Sequence, residues 1–342
     1  MRLSILISMY NAQDHIAICL DSVLNQNIPL EDYEILVVDD GSEDQSVNLV
    51  RDYAVSYSNI KLYSSQNKGV YAQRNFLMRE ARGNYLYHLD ADDYIVKDCL
   101  AQLLNTAEGD NLEIISFGSQ IIKERRNQDT IFPELLEKLE VSTGKKMLAQ
   151  ENNIRYEAWW FLVKTSFLKE EGIWFAADNY LADVNFTYQL FWKAKRVSFL
   201  NLNVHYYYQT ENSLMRDDND NSVNNRLNGY IQTLIFFHEL CKSLNSDDQL
   251  NLNLKKTLKR RMTVLTYQVL LDLSKTRLKL KSKEQILGKL KEMKLYPIDR
   301  LINSDFNKFS HSLLMKIFNK PLVFSFLLRV RFFRIVYLVH RL

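Results

Sequence analysis

Leu3 to Ile7 is an almost unbroken apolar run, the pattern of a strand buried on both faces. From Ile16 through Leu20 to Val23 and Leu24, apolar residues return at helical spacing. Glu34 to Val38 predicts a second buried strand, and it ends in Asp39-Asp40-Gly41-Ser42. Ser42 with Gln45 three positions on has the form of a capping box, so a helix is expected from there through Val47, Val50, Ala54 and Tyr57. Ile60 to Tyr63 predicts a third strand and Val70 to Ala81 a helix. Asn84 to Leu89 predicts a fourth strand, running directly into Asp90-Ala91-Asp92-Asp93.

Strands that alternate with helices in this way predict an α/β fold with a mostly parallel sheet and helices on both faces. In such sheets ligands bind beyond the carboxyl ends of the strands, and two of those ends are acidic here. After Gly118 the pattern loosens: Lys123 to Lys146 is charged and irregular, and Tyr156 to Phe199 is rich in aromatics. Beyond about Asn219 the chain reads as helical, with Ile231, Leu234, Ile235 and His238 at helical spacing and a further long helix from near Gln249. A boundary is therefore expected near Asp218.

Composition adds exclusions. Hydrophobic residues are 46% and charged residues 25% of the 342, which is the balance of a folded chain and excludes wholesale disorder. A net charge of +3 is too small to call for nucleic acid as a partner. Cys19, Cys99 and Cys241 are too far apart for a metal-ligand spacing and odd in number for a disulfide framework. The apolar stretch at the N-terminus is too short for a signal peptide, and no run reaches the roughly 20 apolar residues that span a bilayer. A cytoplasmic location is expected.

The acidic strand ends carry the candidate chemistry. Carboxylates crowded together repel unless a cation or hydrogen-bond donors neutralise them. Hard cations such as Mn²⁺ or Mg²⁺ take oxygen ligands, commonly one or two carboxylates plus substrate phosphates. A solvated turn, or a cap on a helix starting near Lys97, accounts for Asp92 and Asp93 equally. At the upstream end, a carboxylate can accept the imide N–H of uracil, and Gly41 permits close backbone approach. A helix cap by Ser42 explains the same residues. Arg74, early in its helix, can reach base or phosphate if it faces this crevice, or can simply be a solvated helical arginine.

Taken in order, Ile5-Leu-Ile-Ser-Met-Tyr10-Asn11, Cys19-Leu-Asp-Ser-Val-Leu-Asn-Gln26, Val37-Val-Asp-Asp-Gly-Ser42, Asn67-Lys-Gly69, Arg74-Asn75 and Leu89-Asp-Ala-Asp-Asp93 resemble the family 2 inverting glycosyltransferases of the GT-A fold. That group builds capsules, exopolysaccharides and O-antigens. The resemblance continues through Trp159 to Phe167, Ala182-Asp-Val-Asn-Phe186, Tyr206-Tyr-Tyr208 and Ser213-Leu-Met215, covering about residues 1–216. It implies a Rossmann-like GT-A domain over 1–218, with a nucleotide-sugar half at 1–118 and an acceptor-facing half at 119–218. Residues 219–342 then form a helical C-terminal region.

The resemblance also implies roles. Ser8, Tyr10, Asp40 and Arg74 would line the nucleoside pocket, with Asp39 sharing the task. Asp90 and Ala91 would lie against the nucleotide-sugar diphosphate, Asp92 would ligate Mn²⁺ or Mg²⁺, and Asp183 would be the general base. The expected activity is a metal-dependent glycosyltransferase of hexosyltransferase type, moving sugar from a UDP-sugar to a saccharide acceptor that is lipid-linked. Three positions depart from the family pattern: Ala182 replaces the usual glutamate, Ser8 the frequent proline, and Gln209 an arginine that often follows the tyrosines. Two other readings stand beside this one, a sugar-phosphate nucleotidyltransferase and a non-catalytic sugar-nucleotide-binding scaffold. The first would want a glycine-rich loop after the first strand, and Ser8 to Ala12 contains no glycine.

The C-terminus, Pro321 to Leu342, is apolar but interrupted by Arg329, Arg331, Arg334 and Arg341. At helical spacing Arg331, Arg334 and Arg341 share a face, with Phe326, Val330, Phe333 and Tyr337 mostly elsewhere. Such a helix suits the surface of an anionic membrane, and peripheral association with the inner face of the cell membrane is expected; a helix docked on the protein is the alternative.

Overall fold

The chain is described from a computed structural model that covers residues 1–123, 139–150, 154–209, 219–245, 248–298 and 316–329. Strands β1 (Leu3–Met9) and β2 (Tyr33–Asp39) are buried along almost their whole length, as their unbroken apolar runs require. Alternation divides their side chains between two faces. Leu3, Ile5 and Ile7 with Ile35 and Val37 pack on Ile16, Cys19, Leu20 and Val23 of helix α1 (Ile16–Leu24). The opposite face is covered by helix α3 (Val70–Glu80), after helix α2 (Ser46–Ser56) and strand β3 (Ile60–Ser64).

The remaining elements of the first unit are β4 (Tyr85–His88), β5 (Tyr94–Ile95), α4 (Leu100–Gly109), β6 (Ile114–Ile122), α5 (Gly144–Ala149), β7 (Phe161–Lys164), α6 (Thr165–Glu170), α7 (Ala182–Lys193) and β8 (Val197–Tyr208). One eight-stranded sheet runs β3-β2-β1-β4-β7-β6-β8-β5. β1 to β4 are mutually parallel, β7 runs antiparallel to both β4 and β6, and β8 returns parallel to β6. β1 leads first to β2 on one side and only later to β4 on the other. The crevice beyond β1 and β4 is thus a topological switch point, where open α/β sheets bind ligands.

Pairing of Ser8 with Val38 and Met9 with Asp39 brings the two strand ends level, and Asp40 N–H donates to Met9 O at 2.8 Å. The Asp90–Asp93 segment closes a turn through Asp93 N–H to Asp90 O at 3.0 Å. Immediately after it, β5 pairs antiparallel with β8, Tyr94 facing Tyr206. The turn is therefore tied at both ends to strands.

The expected capping box at Ser42 does not form. α2 starts at Ser46, four residues later, because Ser42 Oγ instead accepts from Asn11 N–H at 2.8 Å. Asp44 takes over at the helix start, accepting from Ser46 N–H at 2.9 Å. The helix expected near Lys97 begins at Leu100, with neither Asp92 nor Asp93 at its cap.

The chain divides into two compact units. The first comprises 1–148, 152–177 and 182–211, and the second 149–151, 178–181 and 212–342. The second is helical in its described parts: α8 (Asp220–Ser243), α9 (Gln249–Lys275), α10 (Leu280–Glu292) and α11 (Pro321–Arg329). Among the described residues no helix is long and apolar enough to cross a membrane. Arg331, Arg334 and Arg341 of the C-terminal stretch lie outside the described residues.

Candidate active site

The two acidic strand ends serve different ends. Asp39 Oδ1 accepts from Ser42 N–H at 3.1 Å and its Oδ2 from Gly41 N–H at 3.2 Å, closing the turn that Gly41 makes at φ 86°. Asp40 is buried and reaches the other way, accepting from Lys68 N–H at 2.7 Å and Gly69 N–H at 2.9 Å, and from the Gln73 amide. It therefore moors the Asn67-Lys68-Gly69 loop to the sheet. An ionised carboxylate has about four acceptor sites, so Asp40 keeps roughly one free. Ser8 is half-buried at the end of β1, and Tyr10, just beyond it, is 52% exposed.

Arg74 is the centre of the site. It is 4% exposed, and its two terminal nitrogens point to different carboxylates: Nη2 to Asp90 Oδ1 at 2.6 Å, and Nη1 to Asp183 Oδ1 at 2.5 Å. The guanidinium also lies 5.6 Å from the Phe175 ring and 5.8 Å from the Tyr71 ring. Burial works against its charge, but Asp183 and Asp90 outweigh this and hold it protonated beyond the ordinary range. One arginine thus joins the acid turn after β4 to the first turn of α7. Two of its five N–H donors are thus committed to carboxylates.

The Asp183 carboxyl is about a fifth exposed. Burial pushes it up to about 6; Arg74 opposes the rise, and Asp90 and Glu157 add to it. That value suits a group that takes up a proton near neutral pH. α7 is held where it is by Thr187 Oγ1, which donates towards Glu157 O at 3.2 Å, and by Phe186, stacked on Phe175 at 3.9 Å. Phe175 is itself clamped: Asn75 donates to its carbonyl at 2.8 Å and accepts from its N–H at 2.9 Å.

The three aspartates of the turn diverge. Asp90 uses one oxygen on Arg74. Asp93 points inward, 2.9 Å from His205 Nε2, and accepts from Tyr208 N–H at 2.8 Å. His205 is fully buried, stacked on Trp159 at 4.1 Å, with Tyr87 hydroxyl 2.8 Å from its Nδ1. Burial pulls His205 down to about 3, so it is neutral, with one ring nitrogen hydrogen-bonded to Asp93 and the other to the Tyr87 hydroxyl. Asp92 has no ion-pair partner among the described residues. Burial, then the charges of Asp93 and Asp90, push it up to about 8.

A cation would relieve the crowding at Asp92. Among the described residues no group of three or more His, Cys, Asp or Glu is arranged to hold a metal. The donor set therefore fits a divalent ion only with ligand oxygens added, as for Mg²⁺ held between carboxylate and phosphate.

Residues 4–169 match the family described as Glycosyl transferase family 2. The uncharacterized glycosyltransferase EpsJ of Bacillus subtilis (strain 168) is 30% identical over 241 residues, covering 69% of each chain. The chain belongs to glycosyl transferase family 2. A poly(ribitol-phosphate) beta-glucosyltransferase of Bacillus spizizenii is 32% identical over 211 residues, spanning 61% of this chain but 32% of that enzyme. Among solved structures, S. aureus TarS 1–349 in complex with UDP-GlcNAc superposes with a TM-score of 0.59 at 20% identity, covering 86% of this chain and 80% of that one. At that identity the likeness bears on fold, and it is the GT-A fold.

The family motifs gain physical content from the geometry. Three residues that matter were not singled out from the sequence: Gln73, which holds Asp40; Glu157, near Asp183; and His205, which holds Asp93. Asn75, named only as part of the Arg74-Asn75 motif, proves to be the clamp on Phe175. The tryptophans of the Trp159-Trp160 pair are both buried, Trp160 stacked on Phe191 at 5.1 Å, so they pack the interior. His88 is buried with its ring edge-on to Phe175 and Phe186, and among the described residues its ring nitrogens have no hydrogen-bond partner.

Proposed function

We propose that this family 2 glycosyltransferase is an inverting enzyme that moves a sugar from a UDP-sugar to a saccharide acceptor, lipid-linked in the cell, in the synthesis of a cell-surface polysaccharide. The observation that carries the reading is Arg74, which brings Asp90 of the acid turn and Asp183 of α7 into one cluster. A single displacement needs a donor-holding side and a base-bearing side within reach of one sugar carbon.

In the proposed reaction the acceptor hydroxyl oxygen forms a bond to the anomeric carbon. The bond from that carbon to the diphosphate oxygen breaks, and its electron pair leaves with UDP. Asp183 takes the hydroxyl proton. Ser8 and Tyr10 flank the nucleoside, the open acceptor site on Asp40 receives the uracil imide, and Asp39 keeps the Gly41 turn in shape. Asp90 and the backbone at Ala91 lie against the diphosphate. Asp92 would hold Mn²⁺ or Mg²⁺, which when bound neutralises the charge growing on the leaving diphosphate. Support for a nucleotide-sugar donor comes from TarS, whose solved complexes contain UDP-GlcNAc and UDP.

A donor screen by ligand-induced thermal shift, with and without Mn²⁺, tests the reading. A ligand that binds only the folded state raises its stability by RT ln(1 + [L]/Kd). UDP-sugars are expected to raise the melting temperature, more so with Mn²⁺. Stabilisation by no UDP-sugar, or by GDP-sugars alone, would overturn the donor assignment.

A further inference from the structure

The second unit carries a surface that sugar transfer does not use. From Gln249 onward the chain has 21 Lys and Arg against 5 Asp and Glu, although the whole chain has 44 against 41. The positive charge is thus gathered at one end of the sequence, and the rest is net acidic.

Helix α11 (Pro321–Arg329) shows what accompanies that charge. It turns Phe324 and Leu328 inward, with Phe324 ring to ring against Phe318 at 4.9 Å and Tyr296 at 6.5 Å. Its other side presents Leu322 at 88% exposure, Phe326 at 61% and Val323 at 43%. At about 100° per residue these three cover an arc of about 100°. Lys320 and Arg329, both exposed, stand at its ends. α10 (Leu280–Glu292) contacts α11, Arg329 reaching Glu284 at 3.4 Å, and it adds exposed Lys281, Lys289 and Lys291 against exposed Glu284 and Glu292.

A single exposed leucine needs no explanation; a contiguous apolar face set among cations does. A soluble polyanion would account for the lysines but leaves Leu322, Val323 and Phe326 in water. A protein groove would cover those three but gives no reason for the excess of cations. An anionic bilayer satisfies both, since an interfacial helix buries its apolar face at the headgroup boundary while Lys and Arg meet the lipid phosphates.

We propose that the α10–α11 face of the second unit docks on an anionic lipid bilayer. Leu322, Val323 and Phe326 enter the headgroup boundary, and Lys320, Arg329 and the α10 lysines meet the charged headgroups. The inference stands on charge and exposure in this unit and does not depend on the sugar, the acceptor or the base assigned above.

The test is sedimentation of the full chain with phosphatidylcholine vesicles, with and without phosphatidylglycerol. Three proteins are compared: wild type, Leu322→Ser with Phe326→Ser, and Lys289→Glu with Lys291→Glu. Wild type should bind the anionic vesicles, release in high salt, and bind neutral vesicles far less. Each double variant should bind roughly tenfold more weakly or worse, with melting temperature and turnover on a soluble saccharide acceptor unchanged, since all four side chains are exposed. Absence of wild-type binding, or binding that neither double variant weakens, would overturn the proposal. So would equal capture of wild type and the serine variant by soluble polyphosphate with no vesicle binding, which would assign the cations to a polyanion.

Discussion

Arg74 faces two carboxylates with one charge, and the consequences are specific. Its charge lowers the Asp183 carboxyl, which burial otherwise raises, leaving it at about 6. A base acts only when unprotonated, so turnover should fall as pH drops through about 6, well above the ordinary aspartate range. Arg74→Gln removes the lowering influence. The acid limb of the kcat–pH profile should then move to higher pH, with kcat reduced. Arg74→Lys keeps the charge but loses the planar two-nitrogen bridge, so its limb should move less. A profile that stays in place in Arg74→Gln while activity falls would reduce Arg74 to a packing role. Steady-state rates across pH 5 to 9 decide between these outcomes.

At the scale of elements, the acid turn owes its shape to a strand 110 residues further along. His205 on β8 holds Asp93, Tyr208 N–H holds its other oxygen, and the β5–β8 pairing ties down the residues that follow. His205→Phe leaves a buried carboxyl and a buried tyrosine hydroxyl without their partner, which costs roughly 1–3 kcal/mol. The denaturant midpoint should fall accordingly, and affinity for UDP should weaken because Asp90 and Asp92 sit on the same turn. Unchanged stability and affinity would show that the strand pairing alone suffices. The sequence makes β1 to β4 and α3 plain, because short apolar runs and a 3.6-residue period leave local marks. It leaves His205 silent, since a single polar residue in an aromatic strand carries no sign of a partner 112 positions away. α2 starts later than its sequence pattern predicts for a related reason: Ser42 is spent on Asn11, a contact across 31 positions that no capping pattern reveals. Antiparallel β7 likewise follows from tertiary pairing rather than from its own four residues.

For the molecule as a whole, charge is divided along the sequence, an acidic part up to Asp248 preceding a basic end from Gln249 onward. The sequence marks acidic residues where a motif ends a strand, as with Asp39, Asp40, Asp90 and Asp92, and the structure gathers them at or just beyond the strand ends. What was not legible is which carboxylate is already occupied: Asp93 by His205, most of Asp40 by the Lys68-Gly69 loop, and half of Asp90 by Arg74. Asp92 has no ion-pair partner among the described residues, and it is the carboxylate proposed for a cation. UDP binding should therefore tighten with Mn²⁺ or Mg²⁺ in the wild type, and Asp92→Ala should abolish that dependence while retaining the metal-free affinity. Calorimetry that finds the same UDP affinity with metal and with chelator would remove the ion from the account.

The central claim is that Asp183 takes the acceptor's proton from the far side of Arg74, and one paired measurement tests it most directly. Asp183→Asn keeps the size of the side chain and its place in the first turn of α7, but cannot take up the proton. Measured side by side with the wild type, its affinity for the UDP-sugar should stay within about twofold, while turnover on the true acceptor falls about 10²–10⁴-fold, the usual loss when a general base is removed. Wild-type turnover in Asp183→Asn would contradict the assignment outright.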